Sequence, residues 1–222
     1  MLSRILYTIG RIVITFYVRL MLKMDVHWHE KMPKGPVLYA ANHPSTTDPI
    51  FIHTLTRKPM SIMIHNRVFT IPFLGAYMKK MGHVRVIPGK GEEVLEEARR
   101  TLKSGRSVVI FPEGLISPVD GFHEPRSGVA RLALQSGVPV IPLGIYLREK
   151  NCKRVSATFE DGPDIVAWYL RGPYAITVGK SLRFSGNADD RPLVRNVAEN
   201  IMQHIRTLVG ESRQRMGAEP IE

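Results

Sequence analysis

Two short stretches carry side chains whose types and spacing can do chemistry. The first is Asn42-His43-Pro44-Ser45-Thr46-Thr47-Asp48-Pro49, directly after the apolar run 37–41. Pro44 and Pro49 bias His43 and Asp48 toward extended backbone, so the stretch is not regular helix and a turn can fold Asp48 back onto His43. A histidine held by a carboxylate at one ring nitrogen can use the other as a general base, the carboxylate fixing the tautomer and stabilising the imidazolium. The same residues also suit a purely structural use. Asp48-Pro49 is a good helix N-cap followed by proline at the first helical position, and His43 is then an ordinary strand-end histidine. The second stretch is Phe111-Pro112-Glu113-Gly114, which ends the apolar run 107–111. Pro112 and Gly114 predict a turn that presents Glu113 outward at the end of a buried strand, where α/β sheets bind ligands. A solvated glutamate in a plain strand-ending turn is the alternative. Ser117, Arg126 and Gly128 follow downstream.

The elements that must position these residues are readable from periodicity. Apolar, β-branched runs at 37–41, 61–65, 83–87, 107–111, 138–143, 155–159 and 175–178 read as strands. Helical patterns lie between several of them. The clearest is 92–103, with Val94, Leu95, Ala98 and Leu102 on one face; 127–135 and 193–209 are others. Gly105 and Gly137 stand where helix stops belong. Strands alternating with helices predict an α/β fold, a single layered domain with a mostly parallel or mixed central sheet flanked by helices. The uniformly apolar strands around Val108 and Val140 suit burial on both faces. A third motif, Gly137-Val138-Pro139-Val140-Ile141-Pro142-Leu143, carries no functional group and is read as a pocket wall.

Residues 1–24 form a separate N-terminal segment ahead of the domain at 25–222. It is apolar but interrupted by Arg4, Arg11, Arg19 and Lys23, and it lacks the charge placement and cleavage site of a secretory signal. Arg4, Thr8, Arg11, Thr15, Arg19 and Lys23 recur every three or four residues and share an arc of roughly 120° at about 100° per residue. Ile5, Leu6, Ile9, Ile12, Val13, Phe16 and Leu20 cover the rest. This predicts a basic amphipathic helix at a membrane interface, with Phe16 and its apolar neighbours in the acyl boundary and the arginines on anionic headgroups. A surface helix packed on its own domain and a tilted span are the alternatives.

Composition bounds the partners. The chain has 222 residues and a formal net charge of +11, which suits anionic membranes, anionic small molecules or nucleic acid. Its one cysteine, Cys152, excludes a disulfide framework and a metal site of several thiolates. No basic stripe with interleaved aromatics and no nucleic-acid reader motif is present, so no nucleic acid is expected as a partner.

The order N-H-x-x-x-x-D, F-P-E-G, G-V-P-V-I-P resembles the glycerophospholipid acyltransferase family, whose best-known members are the 1-acylglycerol-3-phosphate acyltransferases. The resemblance covers residues 37–145, includes Ile71-Pro72-Phe73-Leu74-Gly75 and Gly128-Val129-Ala130-Arg131-Leu132-Ala133, and extends weakly to Val178-Gly179-Lys180. It implies acyl transfer from a thioester, acyl-CoA or acyl-carrier protein, to a lyso-lipid hydroxyl. His43 would deprotonate that hydroxyl and Asp48 would orient His43. Asn42, Ser45, Arg85, Glu113, Gly114 and Arg126 would serve substrate binding. It implies no metal or redox cofactor, and a peripheral place on the cytoplasmic face of the cell membrane. No side-chain nucleophile is needed, and no G-x-S-x-G elbow occurs.

The chain departs from the family at Gly82-His83-Val84-Arg85-Val86-Ile87-Pro88, where Pro88 stands at the position of a phosphate-associated arginine. Arg85, three residues earlier, points to the opposite strand face, and Lys90 is another candidate. His65 and Arg67 replace a Lys-x-Glu pattern. Lysophosphatidic acid remains the leading acceptor; a glycolipid, an aminoacyl lipid or another lyso-lipid stays open. A thioesterase using the same His-Asp pair and a membrane scaffold without activity are the rival readings. The stretch 148–173 carries no motif that assigns it a role.

Overall fold

The structure, a computed structural model, describes residues 2–159 and 162–217, with side chains from residue 8 onward. The Arg4 side chain lies outside the described residues. The chain opens with helix α1 (Leu2–Met21) and strand β1 (Asp25–Trp28), then runs through β2 (Leu38–Ala41), α2 (Asp48–Ile52), β3 (Met60–His65), α3 (Asn66–Thr70), α4 (Leu74–Met81) and β4 (Val84–Val86). It continues as α5 (Gly91–Lys103), β5 (Ser107–Ile110), α6 (Gly128–Ser136), β6 (Val140–Leu147), β7 (Cys152–Phe159), β8 (Gly162–Tyr169), β9 (Tyr174–Val178) and α7 (Arg191–Arg215).

Seven strands form one sheet in the order β1-β9-β6-β2-β5-β3-β4. Every neighbouring pair is parallel except β6 with β9, so the sheet is mixed and mostly parallel, as the sequence predicts. β2 lies between β5 and β6 at its centre. Alternation along β2 sends Leu38 and Ala40 to one face and Tyr39 and Ala41 to the other. The first face packs under α5, α6 and α7, where Val94, Ala98, Leu132, Ile201 and Ile205 are buried. The second packs under α1 and α2 through Val18, Leu22, Phe51 and Ile52. Both faces of β2 and β5 are covered, which is why their sequences are unbrokenly apolar.

The third motif supplies the left-handed stop of α6 at Gly137 and, from Val140, the first half of β6. Pro139 and Pro142 serve the fold through their carbonyls, which accept from the N–H groups of Leu38 and Gly179 at 2.9 Å each. Helix α7 is longer than the expected 193–209. It starts at an Asp190 cap that accepts from the Leu193 N–H, and it runs on to Arg215. Its apolar pattern fades because Ser212 occupies a buried position, donating to the Gly144 carbonyl at 2.9 Å. Gly144 makes this packing possible: a Cβ there would lie 2.2 Å from the Leu208 carbonyl carbon. β1 and β8 carry no clear apolar alternation and were not expected. β7 and β8 pair only with each other, as a two-stranded antiparallel ribbon.

The helix expected at the N-terminus is present, and its side chains divide three ways. Val18 and Leu22 are buried, and Tyr17 stacks on Phe51 at 6.2 Å. Arg11 is half-buried, while Arg19 and Lys23 are exposed. Ile9, Ile12, Val13, Phe16 and Leu20 are all more than half exposed. No described helix is long and apolar enough to cross a membrane.

Candidate active site

His43 and Asp48 flank the turn that leaves the carboxyl end of β2. The loop closes as the sequence suggests: His43 Nδ1 lies 3.0 Å from an Asp48 carboxylate oxygen. Asp48 is the first residue of α2 rather than its cap, and it is fully buried. A buried carboxylate must be saturated with donors. The Ser45 N–H and Oγ each donate to it at 2.8 Å, and the Tyr174 hydroxyl donates at 2.8 Å. Burial and the Asp48 charge push the Tyr174 phenol far above its ordinary pKa, so it stays a donor at any working pH. The His43 ring stacks on Phe111 at 4.0 Å between centroids. Its Nε2 has no hydrogen-bond partner among the described residues, and the side chain keeps 17% exposure. The result is an imidazole clamped on one nitrogen and one face, with the other nitrogen open.

The Phe111-Pro112-Glu113-Gly114 turn follows β5, the strand beside β2. It holds the loop from below, but not in the way the sequence suggests. Glu113 points inward and is buried, not outward. One carboxylate oxygen accepts from Ser117 Oγ at 2.6 Å and the His43 N–H at 3.4 Å; the other accepts from the His123 N–H at 2.8 Å. Ser117 in turn takes the His43 N–H on its hydroxyl at 3.0 Å and donates its own N–H to the His43 carbonyl at 2.8 Å. Glu113 therefore braces the His43 backbone. Gly114 adopts φ +68, and the Arg126 side chain lies across it, so near that a Cβ would sit 2.6 Å from Arg126 Nε. The Arg126 N–H donates to the Pro112 carbonyl at 2.8 Å, which fixes this exposed arginine at the turn.

Asn42 and Ser45 lie at the site but face the protein. The Asn42 side chain pairs with both backbone groups of Ile145, at 2.9 and 2.7 Å, and so extends β2 against β6 by one step. Ser45 spends its hydroxyl on Asp48 and Thr47. Arg85 is not brought to the dyad. It lies on β4 at the edge of the sheet, opposite Ile64, with β3 and β5 between it and β2. Three strand spacings amount to roughly 14 Å. Its guanidinium bonds Asn66 and covers the Phe69 ring. Lys90 pairs with Glu93 at 3.1 Å on the first turn of α5.

Sequence reasoning missed Arg154, which comes from the unassigned stretch. From β7 it donates to the Ser117 carbonyl at 3.0 Å and the Pro44 carbonyl at 3.3 Å, with Glu149 as counter-ion at 2.7 Å. One guanidinium thus ties the loop after β2 to the loop after β5. The ribbon grips the same loop elsewhere. Thr46 exchanges two hydrogen bonds with Ala167, and Thr47 donates to the Tyr169 carbonyl at 3.1 Å. At its far end Arg67 holds Asp164 at 2.9 Å and lies 4.0 Å over the Phe159 ring. A signal was present in β8, where aromatic residues stand in a polar stretch, but no motif names an arginine that works through carbonyls.

A family model described as Acyltransferase matches residues 23–146, more than half of the chain. The chain belongs to that family. Both loops fall inside the match, and the glycerophospholipid acyltransferase resemblance holds. Among the chain's relatives, the chloroplastic 1-acyl-sn-glycerol-3-phosphate acyltransferase BAT2 of Brassica napus is 34% identical over 54% of this chain and 36% of its own length. The lyso-ornithine lipid O-acyltransferase of Pseudomonas aeruginosa is 28% identical over 66% of this chain and 57% of its own. The 1-acyl-sn-glycerol-3-phosphate acyltransferase of the same organism is 28% identical over 55% and 49%. The chain thus spans between a third and three fifths of the length of these relatives. Its fold is similar to the crystal structure of the LPA acyltransferase PlsC of Thermotoga maritima, with a TM-score of 0.63 and 20% identity over 93% of this chain and 79% of that one.

Proposed function

We propose that this acyltransferase moves a fatty acyl group from an acyl thioester, acyl-CoA or acyl-carrier protein, to the hydroxyl of a lyso-lipid, with His43 as general base. The observation that carries the reading is the dyad: a histidine open at Nε2 and clamped at Nδ1 by a buried carboxylate. Nε2 takes the proton of the lipid hydroxyl, and the alkoxide oxygen attacks the thioester carbonyl. Asp48 holds the tautomer and offsets the imidazolium charge. Collapse of the tetrahedral intermediate forms the ester and expels thiolate, which recovers the proton from Nε2. No side-chain nucleophile is required, and Cys152 is no candidate: burial raises its thiol to about 11.

Lysophosphatidic acid is the leading acceptor, supported by several relatives named for 1-acyl-sn-glycerol-3-phosphate. An aminoacyl lipid is the second reading, favoured by the lyso-ornithine lipid relative and by Pro88 in place of the family arginine. Exposed Arg126, fixed over Gly114 beside His43's loop, is better placed than Arg85 to meet an anionic headgroup. The exposed apolar stripe and basic arc of α1 support a peripheral place on an anionic leaflet, on the side where acyl thioesters are made. No resident metal or redox cofactor enters the scheme.

The test is thiol release from palmitoyl-CoA in detergent with a panel of lyso-lipids and a no-acceptor control. Release that requires one lyso-lipid names the acceptor. Acceptor-independent release would replace the reading with a thioesterase. His43→Ala should lower turnover by about 10²–10⁴ with the fold retained; a fully active variant would end the mechanism.

A further inference from the structure

The segment between α3 and α4 holds a strained residue whose side chain touches almost nothing. Phe73 has φ 62 and ψ −47, and the Leu74 N–H donates to the Pro72 carbonyl at 2.7 Å across it. This is the γ-turn of positive φ, the rare and strained form, and an aromatic residue is poorly suited to it. The turn is held on both sides. The Gly75 N–H donates to the Ile71 carbonyl at 2.8 Å, and a Cβ on Gly75 would lie 2.0 Å from the Phe69 carbonyl oxygen. Yet Phe73 is 92% exposed, with Ile71 and Leu74 also exposed beside it. Strained backbone persists where the surroundings impose it and function uses it. Among the described residues no contact of the ring repays that strain.

The neighbourhood points to a partner. Tyr77, one turn along α4, reaches Gly10 of α1. At about 100° per residue along α1, Gly10 borders the exposed stripe Ile9, Ile12, Val13, Phe16 and Leu20 on one side, and exposed Arg19 borders it on the other. The Ile71–Leu74 turn therefore continues the stripe across the joint between α1 and α4. Exposed Lys79 and Lys80 lie on α4 beyond it. An apolar area of two elements, rimmed on both sides by cations, complements an anionic bilayer. A second copy would bring the same cations together on a chain of net charge +11.

We propose that Phe73 is a membrane wedge, held out by its γ-turn to insert into an anionic lipid surface beside α1. The proposal deepens the membrane part of the functional reading and rests on it. The full chain is floated with phosphatidylcholine vesicles with and without phosphatidylglycerol. Phe73→Gly accepts the positive φ, so the variant should melt at or above the wild-type temperature. It should lose vesicle partitioning on the order of tenfold, while turnover on short-chain, water-soluble substrates stays unchanged. In a Cys152→Ser chain, an environment-sensitive fluorophore on Phe73→Cys should brighten when phosphatidylglycerol vesicles are added. Wild-type partitioning by Phe73→Gly, or a fluorophore that stays in water, overturns the wedge and leaves membrane binding by α1 standing. Loss of turnover on the water-soluble substrates would make Phe73 an acyl-site wall, and a change of oligomeric state at unchanged partitioning would make it a self-contact; each overturns the wedge. Failure of the wild type to bind vesicles at all would sink the membrane reading and the wedge together.

Discussion

Asp48 owes its fixed position to hydrogen bonds from His43, Ser45 and Tyr174, and the Tyr174 bond is the most separable. Tyr174→Phe keeps the ring packed against Phe51 and Tyr169 and removes only the hydroxyl. The loss of one bond to a buried charge should cost about 1–3 kcal/mol of stability by chemical denaturation. Turnover should fall, but by less than for His43→Ala, with KM for the lyso-lipid unchanged, because the phenol orients the dyad and does not face the substrate. A raised KM at wild-type turnover would place Tyr174 in binding instead. The approach of Asp48 to His43 was allowed by the proline spacing, which left a plain helix N-cap equally open, and the family resemblance pointed to the pair. Tyr174 was not legible: it reaches Asp48 from a strand far along the chain, and nothing local to it marks a donor. Glu113 was found but aimed the wrong way. Pro112 and Gly114 specify a turn, yet the direction of its side chain depends on Ser117 and His123 waiting inside.

At the scale of elements, the ribbon of β7 and β8 adds a second tie between two sheet-end loops that Glu113 and Ser117 already join at the His43 backbone. Arg154 is its tie, and a guanidinium suits that role because it reaches two carbonyls and a carboxylate in one plane. Arg154→Ala should lower kcat by roughly ten- to a hundredfold, the scale of a small misplacement of reacting groups. Arg154→Lys should restore only part, since an ammonium cannot span both carbonyls in the same geometry. Thermal melting of both variants separates a loosened site from a lost fold. Retention of full activity in Arg154→Ala would mean that Glu113 and Ser117, with Thr46 and Thr47 on the ribbon, hold the loops without it. Most strands and the long helices were readable from apolar periodicity, because they are buried on one or both faces. The ribbon was only half readable: β7 showed as a strand, but β8 alternates in exposure without a matching polar-apolar alternation in its sequence, and its purpose lies in contacts to a loop more than a hundred residues earlier.

For the whole molecule, acid stability has a specific source outside the site. His53 and His83 meet at 5.1 Å in the core, near Arg106. Burial, with Arg106, lowers His53 from 6.5 to about 4; burial, with His53 and Arg106, lowers His83 from 6.5 to about 3. His83 Nδ1 accepts the Ile62 N–H at 3.1 Å, a bond that needs that nitrogen unprotonated. Both folded-state values lie below the unfolded value, so the unfolded chain binds protons first as the pH drops. The stabilisation is complete above about 6.5 and is lost progressively toward pH 4, at a rate of at most about 1.4 kcal/mol per pH unit from each histidine. Glu30 and Glu96, lowered from 4.5 by hydrogen bonds from Ser181 and Arg99, add to the slope only at the acid end of that window, as the pH nears 4.5 and below, so the fall between about pH 6.5 and 5 isolates the histidines. Urea midpoints measured between pH 7 and 4 should therefore fall steadily for the wild type and less steeply for His83→Gln, which can still accept from Ile62 but cannot titrate. Equal slopes in the two proteins would remove this pair as the origin of acid sensitivity and place it in the dyad or at the surface.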